Sequence, residues 1–205
     1  MKVTPTTDRG RATVQRVLDA ACDLFGARGI RSTSLDDIGA AAGVGRGQLY
    51  HFFVDKSDLV SEVVALQVER VVAELTPMLE AMSTAEDVQA WCEDVVAFHA
   101  APEASIRCPI GSLINQLEDG DHAARRALVA GFASWERALE AGLQRVADAG
   151  GLATGADAGT LASALLAAYQ GGVLLSNVTG DVAPLRRALR GVTGAALTHG
   201  PVQTA

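Results

Sequence analysis

The sequence predicts an all-α fold, on three observations. Apolar residues recur at helical spacing along nearly the whole chain of 205 residues. Strand-like alternation of apolar and polar residues is missing. Glycine or proline marks several segment ends, at Gly29, Gly43, Pro102 and Gly150-Gly151, as punctuation between helices does. This length fits one or two domains and is enough to bury a core. The chain is 49% hydrophobic, yet no apolar run is expected to reach the length of a membrane span. The N-terminus lacks the apolar core of a signal peptide. Cys22, Cys92 and Cys108 form an odd set without metal-ligand spacing and are expected to be reduced thiols, two of them in apolar helical patterns. A cytoplasmic protein without a metal or cofactor is expected.

Charge is divided unevenly. The net charge is −7, but from Met1 to Lys56 eight Lys and Arg face six Asp, whereas the rest of the chain holds nine bases and eighteen acids. A slightly basic head on an acidic body suits a chain whose head alone meets phosphate.

In order, Met1 to Asp8 reads as a disordered polar tail. Arg9 and Arg11 stand close enough to the first helix for a phosphate or minor-groove contact. Thr13 to Arg28 is a helix, with Val14, Val17, Leu18, Ala21, Leu24 and Phe25 on the 3.6-residue period. Ser34 then caps a short helix, with Asp37 placed for a capping box and Leu35, Ile38 and Ala42 on one face. Gly43-Val44-Gly45 ends it, Gly43 taking the left-handed position. Arg46 opens a second short helix in which Leu49 and Phe53 share a face. Two short helices across so tight a turn make a helix-turn-helix, whose second helix enters the DNA major groove. Arg46, Gly47 and Gln48 would then meet DNA first, followed by Tyr50 and His51. Gln48 can pair with adenine and Arg46 with guanine or phosphate. Gly47 would let the backbone come close. Thr33 and Ser34 stand at a helix N-terminus, where hydroxyl and amide donors hold phosphate. Asp55 caps a fourth helix whose first turn holds Lys56, a further phosphate contact. Val60, Val63, Val64, Val68 and Val71 form its apolar stripe, and Pro77 predicts a break near its end.

From Thr13 to Val60 the residues resemble the TetR family of bacterial transcriptional repressors. The capped helix, the Gly-Val-Gly turn, the Leu49-Tyr50 pair with Phe53, and Lys56 opening the next helix carry the resemblance. It implies a three-helix DNA-binding domain over residues 1–56 and a helical effector-binding and dimerisation domain over residues 57–205. One position departs. The family's usual phosphate-holding His is replaced by Phe52, so His51 takes over that contact or the contact is lost.

Downstream, Asp87 to Ala100 is helical, with Val88, Trp91, Cys92, Val95 and Phe98 along one side, and Pro102 breaks it. Pro109 is pre-set for the first turn of a short helix. The run Cys108-Pro109-Ile110-Gly111-Ser112-Leu113 resembles the branch of the family that includes multidrug- and flavonoid-responsive repressors. Asp121 to Ala149 and Asp157 to Val178 are long helices, and Pro184 to Leu197 is the last, followed by a short polar tail. The last two are too apolar for one chain to cover. The family resemblance implies that they pair with a second copy, so that the operator is palindromic double-stranded DNA.

No constellation supports an enzyme. His51, His99, His122 and His199 are scattered, and no general base is evident for Cys108 or Ser112. A pocket between helices is expected instead, lined by Trp91, Phe98, Ile110, Leu113, Gln116, Phe132, Trp135 and Tyr169, with Asn115 and Gln170 as further polar candidates. Few ionisable residues interrupt these stripes, so the expected effector is mostly apolar or aromatic. The resulting expectation is a dimeric one-component repressor released by a small molecule. The alternative is a DNA-binding regulator without such an effector, controlled by a protein partner.

Overall fold

The computed structural model describes residues 1–101 and 106–198. The break expected at Pro102, and the polar tail that holds His199, lie outside the described residues. Among these, helices are α1 (Asp8–Arg28), α2 (Leu35–Ala42), α3 (Arg46–Phe52), α4 (Lys56–Ala81), α5 (Ala85–Ala100), α6 (Gly111–Ile114), α7 (His122–Asp148), α8 (Ala158–Thr179) and α9 (Ala183–Ala196). The expected all-α class holds. The sole extended pairing among the described residues is an isolated antiparallel bridge between Leu152 and Leu197.

Two compact units form. One comprises Met1–Val71 with Ser112–Gly131, and the other Val72–Gly111 with Phe132–Ala205. This division departs from a boundary after residue 56. The first part of α4 and the segment 112–131 pack with the head, so both belong to its core.

In the first unit Val17, Ala21 and Phe25 of α1, Ile38 of α2, Leu49 of α3, Phe53, and Leu59, Val60, Val63 and Val64 of α4 are all buried. Leu49 and Phe53 point inward as their spacing predicts. Phe53, however, ends α3 in an extended conformation rather than continuing it. Ser34 and Asp37 close the expected capping box, and Gly43 ends α2 at φ 63°, a left-handed conformation that glycine adopts without a Cβ clash. Asp55 accepts from the Asp58 backbone N–H at 2.8 Å, capping α4 as its position predicts.

Three expectations are corrected here. First, α1 begins at Asp8 because Thr7 caps it by accepting from the Gly10 N–H. Second, Met1 to Asp8 is not a free tail. The Met1 amino group meets Asp58 and Glu62, both at 2.6 Å, and the Lys2 N–H donates to the Phe52 carbonyl. Third, α4 runs through Pro77 to Ala81. Proline there withholds one N–H from the Ala73 carbonyl and its ring crowds that carbonyl, and Arg145 secures the turn beyond it. Its guanidinium donates to the carbonyls of Leu79, Glu80 and Met82 at 2.6, 3.0 and 2.9 Å, satisfying groups that a helix C-terminus leaves open.

In the second unit α8 and α9 pack at close range. A Cβ on Gly172 would stand 2.8 Å from the Leu185 Cα, so only glycine permits this approach. The Ser176 hydroxyl accepts from the Leu185 N–H at 3.1 Å. Asp157 caps α8 and Thr84 with Asp87 forms a capping box on α5. Pro109 lies in the turn before α6, not within its first turn. One expectation about composition also changes. By length and composition alone α8 could cross a membrane, with mean hydropathy 1.4, although 39% of that window is buried in the fold. Its apolar length is explained by two faces. Leu161, Ala162, Leu165 and Val173 are buried, whereas Leu174, Leu175 and Val178 stand 63%, 57% and 76% exposed.

Candidate nucleic-acid interface

Helix α3 is only seven residues long, and its side chains divide cleanly. Leu49 and Phe52 are buried, while Arg46, Gly47, Gln48, Tyr50 and His51 face solvent. A seven-residue helix has no stability of its own. Its buried side and the Phe53 anchor hold it in place, so the outer residues are presented on a fixed frame. Gly47 has open space around it, and a Cβ there would touch nothing within 4 Å. The fold therefore does not demand a glycine at this position.

Arg46 folds back along this surface. Its guanidinium carbon lies 5.7 Å from the Tyr50 ring centre and its Nε lies 3.7 Å from Asp36 Oδ1. The Tyr50 hydroxyl first, and the Asp36 carboxylate second, hold the guanidinium above its ordinary pKa. Its charge is thus secure but partly countered before any DNA arrives.

Beside α3 an open groove of about 430 Å³ is lined by Arg31 to Asp37, Tyr50 and Lys56. This brings Thr33, Ser34, Tyr50 and Lys56 together as the sequence suggests, with Arg31 as an added cation. Asp36 and Asp37 also line it and oppose an anion. The Ser34 hydroxyl is occupied by its cap, donating to Asp37 Oδ2 at 2.6 Å and accepting from the Asp37 N–H at 3.1 Å. The Thr33 hydroxyl is engaged within the fold. It is 1% exposed, and its hydroxyl donates to the Gly29 carbonyl at 2.9 Å. That hydroxyl braces the α1–α2 loop, although Thr33 lies in the groove lining. Arg11 is likewise engaged, with Asp8 and the Thr6 carbonyl.

Phe52 is buried in the head. His51 lies at the surface, edge-on to Phe52 with ring centres 4.9 Å apart. The replaced position therefore supports the core, and the neighbouring imidazole is the one that solvent reaches.

The residues expected to line an effector pocket are distributed less simply. In the second unit Trp135 and Tyr169 stack edge-to-face at 5.0 Å, and His99 Nε2 lies 3.0 Å from the Tyr169 hydroxyl. Burial pushes the Tyr169 phenol well above its ordinary range, so it stays neutral. Trp91 and Ile110 are buried there as well, and the indole N–H groups of Trp91 and Trp135 have no acceptor among the described residues. Phe132 is half-buried, whereas Phe98 is 56% exposed on the outer side of α5. Leu113 and Gln116 belong to the first unit. Gln116 accepts from the Ile30 N–H at 2.8 Å and donates to the Ser112 carbonyl at 3.0 Å, so its amide is occupied. His99 was missed as a polar member of this aromatic group, although its spacing on α5 from Trp91 and Cys92 could have suggested it. Gln170, named as a further polar candidate, donates to Cys108 Sγ at 3.3 Å.

All three thiols are free. Burial pushes Cys92 up to about 12, which keeps it protonated and unreactive. No group of His, Cys, Asp or Glu that could hold a metal occurs among the described residues.

Comparison with known proteins agrees with this geometry. The family model for bacterial regulatory proteins of the tetR family matches residues 17–63, and that for the tetracyclin repressor-like C-terminal domain matches residues 84–192. The transcriptional regulator AcrR of Shigella flexneri is 50% identical over 58 residues, 28% of this chain and 27% of its own. The matched stretch thus spans about a quarter of that relative. A solved TetR-family regulator from Cytophaga hutchinsonii shares the fold with a TM-score of 0.81 at 18% identity, covering 96% of this chain and all of its own. SmeT, the repressor of the Stenotrophomonas maltophilia multidrug efflux pump SmeDEF, is 25% identical with a TM-score of 0.71, over 94% of both chains. SmeT has also been solved as a triclosan complex, 27% identical to this chain over 92% of it and 93% of that chain, with a TM-score of 0.72. The chain belongs to the TetR family of bacterial helix-turn-helix transcription regulators.

Proposed function

We propose that this regulator is a cytoplasmic dimeric repressor that binds a palindromic operator and is released by a small, mostly apolar or aromatic effector. The observation that carries the DNA half is the division of α3. Its outer row of Arg46, Gln48, Tyr50 and His51 stands beside a groove containing Arg31 and Lys56. Gln48 and Arg46 read bases, Gly47 admits the DNA backbone, and Tyr50, Lys56 and the Ser34 end of α2 take phosphates. His51 takes the phosphate contact that Phe52 cannot make. Dimerisation is supported by the exposed Leu174, Leu175 and Val178 on α8, since a solvent-facing apolar stripe marks an interface.

The effector half is supported by the Trp135–Tyr169 pair and the buried Trp91, together with two indole donors that have no acceptor among the described residues. SmeT binds triclosan, a precedent within the same fold for an aromatic ligand. Effector binding must favour a head spacing unsuited to the operator, and operator binding then weakens effector affinity equally. Control by a protein partner is the second reading, and the exposed Phe98 favours it. Gel shifts test the DNA half. Gln48→Ala is expected to change base preference and Lys56→Ala to weaken all sequences alike. If both bind as wild type, the interface is wrongly assigned.

A further inference from the structure

The groove beside α3 has two cationic walls, Arg31 in the α1–α2 loop and Lys56 at the start of α4. Both are fastened from behind by the same short stretch of chain, residues 116–121. On one side Gln116 Oε1 accepts from the Ile30 N–H at 2.8 Å, one residue before Arg31. On the other, Asp121 Oδ1 accepts from the Ser57 hydroxyl at 2.5 Å, one residue after Lys56. Each anchor is itself held. Gln116 Nε2 donates to the Ser112 carbonyl, and Asp121, only 6% exposed, accepts from the Glu118 N–H at 2.9 Å. The Arg31–Glu118 pair at 3.9 Å is exposed and adds little. The contacts at Gln116 and Asp121 lie within one compact unit and span sequence separations of 86 and 64 residues.

We propose that Gln116 and Asp121 are positioning residues for DNA-phosphate binding, setting the separation of the Arg31 and Lys56 walls of the groove. This rests on the reading that the groove takes phosphate. Two cations contact neighbouring phosphates well only at a fixed spacing, and neither the α1–α2 loop nor the first turn of α4 fixes that spacing alone. The bridge from Ile30 to Ser57 through residues 116–121 does. It also makes this stretch a point where displacement would be felt directly at the DNA contact.

The test uses the full chain and a mixed-sequence DNA duplex, since phosphate contacts do not need the operator. Affinity is measured by fluorescence anisotropy over a series of salt concentrations for wild type, Lys56→Ala, Ser57→Ala, Lys56→Ala/Ser57→Ala, and the double variant Gln116→Leu/Ser57→Ala. Thermal melting of each reports whether the head is folded. The expected result is that Lys56→Ala and the double variant each weaken binding and each flatten the salt dependence by about one unit of slope. Lys56→Ala/Ser57→Ala should be no weaker than Lys56→Ala alone. Ser57→Thr, which keeps the hydroxyl, should bind as wild type. If the double variant binds as wild type while Lys56→Ala does not, the positioning role is overturned. Multiplicative losses in Lys56→Ala/Ser57→Ala overturn it too, because the Ser57 anchor would then act on stability rather than through Lys56. If Gln116→Leu unfolds the head, Ser57→Ala against Ser57→Thr decides alone. If Lys56→Ala itself changes nothing, the phosphate reading of the groove fails, and the positioning role with it.

Discussion

Asp36 Oδ1 lies 3.7 Å from Arg46 Nε, so the first turn of α2 and the first residue of α3 meet in an exposed ion pair at the rim of the head. An acid at that place competes with phosphate for the guanidinium. Asp36→Asn is therefore expected to tighten binding to duplex DNA at low salt and to steepen its salt dependence by about one unit of slope. Anisotropy titrations at several salt concentrations check this. Weaker binding by Asp36→Asn would mean that the pair orients Arg46 rather than restraining it.

Gly47→Ala separates the fold from the interface. Open space surrounds the position, and α3 is helical there. Alanine should raise helix stability by up to about 1 kcal/mol while weakening DNA binding, because in the proposed interface the added methyl stands where the DNA backbone approaches. Melting temperature and affinity should move in opposite directions.

Gly172→Ala should do the reverse. The added Cβ would press on the Leu185 backbone, and overpacking of this kind costs about 1–3 kcal/mol. Denaturant unfolding should show the loss. DNA affinity per folded molecule should change little.

Acid sensitivity follows from the helix caps. The Ser34 hydroxyl holds Asp37 below the usual carboxylate range, the Ser83 backbone N–H does so for Asp87, and the Thr160 backbone N–H for Asp157. A carboxylate whose pKa is lowered by folding stabilises the fold above its unfolded value of about 3.9. That contribution is lost as pH falls through the lowered folded value. Melting temperature should therefore decline below about pH 4, and Asp87→Asn should flatten that decline. An unchanged acid limb in Asp37→Asn and Asp87→Asn alike would remove the caps from the explanation.

Much of the fold was legible because its signals are local. Capping at Ser34 and Asp55 and the left-handed Gly43 each depend on residues within three or four positions. Local signals also misled. Thr7 falls in the stretch that reads as a disordered polar tail, yet it caps α1, and Pro77 reads as a stop although carbonyls beyond it are satisfied by Arg145 from α7. Thr33 reads as a phosphate donor from its place before Ser34, but its hydroxyl turns back four residues to Gly29. The outer row of α3 was legible from the inward spacing of Leu49 and Phe53. The place of Gln116 was not, because its partner Ile30 is 86 residues away and helical periodicity carries no information at that range.

The central claim is that two copies of this chain present α3 to a two-fold symmetric operator. Its most direct test is selection from a random duplex library by the purified full-length protein, with Leu175→Glu as the paired variant. Enrichment of an inverted repeat by the wild type, and its loss in a monomeric Leu175→Glu protein that still melts cooperatively, is the predicted result. Enrichment of a single asymmetric site by both proteins, or of no sequence by either, would contradict it.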